Sequence, residues 1–325
     1  MPLETKVEKL RKMDVPVSSL LAKYGIYIAF AVLIAVLSIS SDSFLSVRNI
    51  LNVLRQSSMN GIIAVGMTFV IITGGIDLSV GSIVALSAVT ATSLAHPNSG
   101  PLFLPIAVGI GVGMVAGFLN GAIISFGSIA PFIVTLGMMT IARGAALVYS
   151  GGRPIINLTD AYNSVGGGYL LGIPIPAYLF LGVALLGVFI LSFNRFGRHV
   201  YAVGGNELAA RVSGLNINAI KIGVYSLSGM FAGFAGVVLS SRVMTGSPVA
   251  GVGYELDAIA AVVIGGTSLS GGIGSIQGTI IGALIIGFMN NGLDLLNVSS
   301  YYQQIVKGVI IIAAVLLDSK TKGVK

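Results

Sequence analysis

The chain has 325 residues, 55% hydrophobic and only 9% charged, where a soluble domain carries about 25% charged residues. A surface that poor in charge excludes a water-soluble fold, and the absence of cysteine excludes disulfides, thiolate metal sites and thiol catalysis. The formal charge of +7 reads as the positive-inside bias of a membrane protein, so membrane lipid is an expected partner and nucleic acid is not.

In chain order, residues 1–24 are polar and carry Lys6, Lys9, Arg11, Lys12 and Lys23, which places the N-terminus in the cytoplasm and does not resemble a cleaved signal. Solid apolar runs follow, each of the length that crosses about 30 Å of hydrocarbon. They do not alternate as barrel strands would. A first span is expected over 25–39. Over 44–56, Phe44, Val47, Ile50, Leu51 and Leu54 stand opposite Arg48, Asn49, Asn52 and Arg55, the pattern of a helix lying on the outer surface. Further spans are expected over 57–73, 80–95, 102–125, 129–148, 176–193, 220–242, 254–266, 276–290 and 301–317, ten in all. The eighth is short and glycine-flanked, as a re-entrant segment would be. An even count returns the tail, 318–325, to the cytoplasm.

The expected fold is therefore an all-α polytopic bundle forming one transmembrane domain over 25–317. The 45 glycines allow close helix contacts and broken helices, and tyrosine must supply the interfacial belt because tryptophan is absent. GGIDLSVGS from Gly74 resembles GGTSLSGGIGS from Gly265, which suggests two related halves with glycine-broken helices beside a substrate path. The large external loop, 151–175, holds only Arg153 and Asp160 as charges and is expected to face something outside.

The cytoplasmic loop, 194–221, contains GGNELAARVSG. Asn206 is a good N-cap, Glu207 suits a helix N-terminus, Arg211 suits its C-terminus four residues on, and Gly214 supplies the stop. The helix expected over 207–213 is about 10 Å long, too short to cross. Ala209 and Ala210 make it slim enough for a groove on another protein, with Leu208 and Val212 as a small apolar face.

YAVGGNELAARVSGLNINAIKIGVYSLSG resembles the cytoplasmic segment of permease subunits of ribose-type sugar ABC importers. GGIDLSVGS, GYELDAIAAVVIGGTSLSGG and NNGLDLLNVSSYYQQIVKG resemble three further signatures of that family, and the likeness runs over 44–318. It implies that the short helix is a coupling helix docking on a separate ATP-binding subunit, matched here at Gly204, Gly205, Asn206, Glu207, Ala209, Arg211, Ser213 and Gly214. It implies two copies of this chain forming the pore in a bacterial inner membrane, an extracytoplasmic sugar-binding protein above, and ATP and Mg held by the partner below. NVSSYYQQIVKG is closest to the ribose type; xylose, galactose and furanose autoinducer sugars stay open.

No Walker A pattern, G-x-x-x-x-G-K-[ST], occurs in the sequence, so this chain is expected to bind no nucleotide that way and to catalyse nothing itself. An ion-coupled sugar carrier is the alternative, and a membrane-embedded enzyme the third reading, although no serine is spaced with a histidine and carboxylate. Ionisable residues within spans are functional suspects: Asp77, Arg143, Glu255, Asp257, Asp294 and Lys307. Asp77, Ser79, Asp257, Ser268 and Ser270 are candidate pathway residues beside the glycine-broken segments. Arg143 is expected to pair with Glu255 or Asp257. His96 and His199 fall on opposite sides of the membrane, so no metal site is expected.

Overall fold

A computed structural model describes residues 17–97 and 100–322; residues 1–16 of the N-terminal segment and 323–325 of the tail lie outside the described residues. The described chain is helical apart from one two-residue ribbon.

Helix α1 spans Val17–Ser40 and α2 Val47–Ile72. Ser46 caps α2 by accepting from the Asn49 N–H at 3.3 Å. From Met59 to Ile72, α2 is apolar on nearly every side and nearly every side chain is buried, which makes it the axis of the bundle. The separate surface helix expected over 44–56 is not found. From Val47 on, those residues form the first turns of α2. Asn49 and Asn291 exchange two amide hydrogen bonds of 2.9 Å each, the Arg55 guanidinium lies 4.6 Å from the centre of the Tyr169 ring, and Arg48 and Asn52 stay exposed.

Helices α3 (Val80–Thr92), α4 (Phe103–Gly127) and α5 (Pro131–Ser150) follow. The segment expected outside, 151–175, has secondary structure of its own. It contains α6 (Asp160–Gly167) and the antiparallel pair β1 (Tyr169–Leu170) and β2 (Ile173–Pro174), joined through Leu171 and Gly172, both at positive φ as a tight hairpin turn requires. Tyr162 on α6 is fully buried, its hydroxyl 2.7 Å from Ser240 Oγ. Helix α7 (Ile175–Val188) runs into a π-helical turn, Phe189–Phe193. Then come α8 (Arg195–Gly205), α9 (Glu207–Val212), α10 (Ile217–Arg242), α11 (Tyr254–Ile264), α12 (Ile276–Leu295) and α13 (Ser300–Lys322).

The tightest contact joins α4 and α10. Gly109, Gly113, Gly117 and Gly121 recur every fourth residue and so share one face of α4, which lies directly on the backbone of α10 at Ile222, Tyr225, Gly229 and Gly233. Without a Cβ on either side the two main chains touch, the device of closely packed membrane helices. Outside, the polarity is that of a lipid-facing protein: Phe118, Phe126, Phe132, Ile141, Leu185 and Phe189 are exposed.

Five helical stretches are long and apolar enough to cross a membrane, Phe103–Gly127, Pro131–Ser150, Ile175–Phe193, Ile217–Arg242 and Ile276–Leu295, and Gly25–Ser40 and Val80–Thr92 are shorter apolar helices. With 13 and 11 residues, α3 and α11 reach only about 20 and 16 Å. Both fall short of a hydrocarbon core of about 30 Å, and each adjoins one of the two similar glycine motifs.

Candidate functional site

The two glycine motifs meet. The Gly272 N–H donates to the Ile72 carbonyl at 2.9 Å, so the turn after α11 closes on the turn after α2. The end of α8 completes the junction. A methyl group on Gly204 would overlap the Ile72 carbonyl and stand 2.6 Å from the Gly272 nitrogen, and one on Gly272 would stand 2.9 Å from Gly205 Cα. Gly271 and Gly272 have φ of +82° and +75°, a region glycine enters without steric cost. The Tyr201 hydroxyl adds a 2.7 Å bond to the Gly274 carbonyl. Sequence reasoning missed Tyr201 and this junction; the one shared signal was the Gly-Gly pair in all three segments.

Helix α9 hangs from that junction. The Asn206 side chain accepts from the Ala209 N–H at 2.9 Å, and Gly214 ends the helix at φ +84°. Glu207 binds Lys221 at 2.8 Å and Arg211 at 3.5 Å. Leu208 and Val212, one turn apart, are 72% and 82% exposed. Ala209 and Ser213 are also exposed, but Ala210 is only 4% exposed and packs into the chain's own core. The expectation that both alanines are free to enter a partner's groove is corrected: Ala209 is available and Ala210 is not, because the helix turns that side toward the bundle.

Asp77 is fully buried. It accepts from the Ser79 N–H at 3.0 Å, the Ser79 hydroxyl at 2.5 Å and the Ser228 hydroxyl at 3.0 Å, while the Asn120 amide donates to Ser79 Oγ at 2.9 Å. This network ties the start of α3 to α4 and α10, so here Asp77 and Ser79 are an internal fastening and line no opening. Ser268 is buried as well, whereas Ser270 is exposed. A cysteine at Ser270 should therefore react with a polar thiol reagent in the resting protein and one at Ser79 or Ser268 should not; equal labelling of all three would contradict this enclosure.

Asp257, 5% exposed, is paired with Lys307, whose ammonium lies 2.8 Å from Oδ1 and 3.1 Å from Oδ2, and it accepts from the Asn60 amide at 3.1 Å. The expected partner of Arg143 is corrected accordingly. Its guanidinium donates to the carbonyls of Pro248 and Ala250 at 2.9 and 2.8 Å, and among the described residues no ion pair joins it to Glu255 or Asp257. Two carbonyls take its hydrogen bonds and the carboxylate of Asp257 is already taken, while Glu255 lines the same pocket as Arg143 and senses its charge without a direct ion pair. Asp294 holds the Gln303 amide at 2.6 Å. Among the described residues no group of three His, Asp or Glu could hold a metal ion.

Glycine-packed helices with apolar residues outward, short helices beside two glycine turns that meet and a capped foot at one end define a multi-pass membrane protein. Residues 49–315 match the family described as branched-chain amino acid transport system / permease component, and the chain belongs to that family. Within it, the chain is 50% identical over 297 residues to the ribose import permease protein of Haemophilus influenzae (90% of this chain, 92% of that one) and 48% identical over 321 residues to that of Bacillus subtilis (98% and 99%). It is 42% identical over 300 residues to an L-arabinose ABC transporter permease of Azospirillum brasilense (92% and 88%). No solved structure matches the chain. The resemblance to sugar permeases drawn from the signatures therefore holds over most of the chain.

Proposed function

We propose that this chain is the permease subunit of an ABC importer for ribose. Two copies form the pathway, a separate ATPase subunit binds ATP and Mg, and an extracytoplasmic binding protein delivers the sugar. The observation that carries the substrate is the 48–50% identity to ribose import permeases over nearly the whole chain. The names of the relatives favour this over an ion-coupled carrier. In this reading the chain crosses the inner membrane ten times as two related halves, with both termini in the cytoplasm. The broken segments around Asp77 and around Ser268 and Ser270, with Asp257, flank the sugar's route and open during the cycle.

Helix α9 is then the coupling helix. Its exposed Leu208, Ala209, Arg211 and Val212 present apolar and cationic groups to the ATPase, and Gly204, Gly205 and Tyr201 connect it to both glycine turns. Ala209→Trp adds bulk on the exposed side at a helix-propensity cost of only about half a kcal/mol, so membrane insertion should be retained. Ribose uptake should fall by about tenfold or more, a loss of at least ~1.4 kcal/mol in docking, and the ATPase should no longer copurify. Arg211→Glu should act in the same direction by placing a negative charge at the helix's negative end. Normal uptake and copurification with Ala209→Trp would remove the coupling role.

A further inference from the structure

The cleft between the start of α11 and the first turns of α13 encloses about 460 Å³ and is lined by Tyr254, Glu255, Asp257, Ser300, Gln304 and Lys307, among others, within the range of small-molecule sites. The Asp257 carboxylate, the Lys307 ammonium, a free amide, a hydroxyl and an aromatic ring line it, whereas the Glu255 carboxylate accepts from the Gly253 N–H and turns toward Gly81. Such a set suits neither lipid nor packing alone, because an amide or carboxylate facing hydrocarbon costs several kcal/mol unless something bonds to it. Part of the set is spent internally: Asp257 on Lys307 and Asn60, and Gln303 on Asp294 and the Val298 carbonyl. Gln304 and Ser300 are not. Both are exposed, and among the described residues neither has a side-chain hydrogen bond. Lys307 stands about two turns, roughly 10 Å, along α13 from Ser300, so the cleft runs along the first turns of that helix.

The geometry points to a binding station for one neutral polyhydroxylated molecule of monosaccharide size, held on this chain itself. Adjacent hydroxyls of a sugar donate to the Asp257 carboxylate and the Ser300 hydroxyl and accept from the Lys307 ammonium and the Gln304 amide, while the Tyr254 ring offers an apolar wall. An Asp–Lys pair suits this cargo because it presents an acceptor and a donor side by side, as vicinal hydroxyls do. This inference rests on the importer reading and adds to it a site where sugar is met after leaving the binding protein.

The test uses the complete importer of permease, ATPase and binding protein in proteoliposomes, with labelled ribose, allose, arabinose and xylose. For whichever sugar the wild type takes up, Gln304→Leu should lower the sugar moved per ATP hydrolysed by about tenfold, the loss of one hydrogen bond to the cargo, and Ser300→Ala should lower it in the same direction. A cysteine at Gln304, introduced into this cysteine-free chain, should be shielded from a charged thiol reagent when sugar-loaded binding protein and ATP are supplied. Unchanged transport stoichiometry in both variants, or labelling of the cysteine unaffected by sugar, would overturn the station. Wild-type uptake of another sugar of the panel in place of ribose would overturn the substrate but not the station, and uptake of none would overturn both.

Discussion

Gly113→Val is expected to leave almost no folded protein extractable from the membrane. A Cβ at Gly113 would overlap the Gly229 carbonyl and lie 2.7 Å from Gly233 Cα. Both obstacles are main chain, so no rotamer change relieves them, and α4 must lift off α10. That separation would also open the contacts of Gly109, Gly117 and Gly121 along the same face. Overpacking one site in a tight core costs about 1–3 kcal/mol; here the displacement spreads along the most intimate helix pair in the molecule, so the loss should exceed that range. Gly111→Val is the control. It lies on the same helix with the same loss of glycine, yet a Cβ there has nothing within 4 Å. Detergent-extracted yield and thermal midpoint should be near wild type for Gly111→Val and strongly reduced for Gly113→Val. Equal behaviour of the two would show that the helices do not rely on main-chain contact.

The second large effect concerns Lys307. Lys307→Met leaves the Asp257 carboxylate buried with only the Asn60 amide, and removing one partner of a buried ion pair costs about 3–5 kcal/mol. The double variant Asp257→Asn, Lys307→Met removes both charges and should recover most of the stability, because the large loss comes from the stranded charge. The double-mutant cycle, read by thermal unfolding of the solubilised protein, should give a coupling of about 2 kcal/mol or more. Additive losses would mean that the two groups do not sense one another. Recovery of stability without recovery of uptake in the double variant would separate the pair's role in folding from its role toward cargo.

What could be read from the sequence followed the range of each signal. The capped helix at 206–214 was legible because Asn206, Glu207, Arg211 and Gly214 act within one or two turns of themselves. Its buried side was not, since Ala209 and Ala210 are chemically identical and only the path of α10 decides which one faces the bundle. The amphipathic stretch at 44–56 was misread for a related reason. A polar stripe does not end a helix, and here part of it meets protein: Asn49 bonds Asn291, some 240 residues away, and Arg55 lies on the Tyr169 ring. Arg143 shows the same limit: a buried guanidinium needs acceptors, but the sequence cannot rank backbone carbonyls against carboxylates. The abundance of glycine announced close packing without saying where. The four-residue spacing in α4 gains meaning only beside Gly229 and Gly233, and the likeness of the two glycine motifs gave no hint that they touch.

The junction of Gly204, Ile72 and Gly272 has a mechanical consequence. A joint between side chains has play, because rotamers can change while the backbones shift. This one is formed by main-chain atoms held by the Gly272–Ile72 hydrogen bond, so it has almost no backlash: a push on α8 larger than a few tenths of an ångström either drags both turns with it or breaks that bond. The stiffness of the linkage is thus set where side chains are missing, and adding a single methyl group at Gly204 would change its resting position before it changed any chemistry.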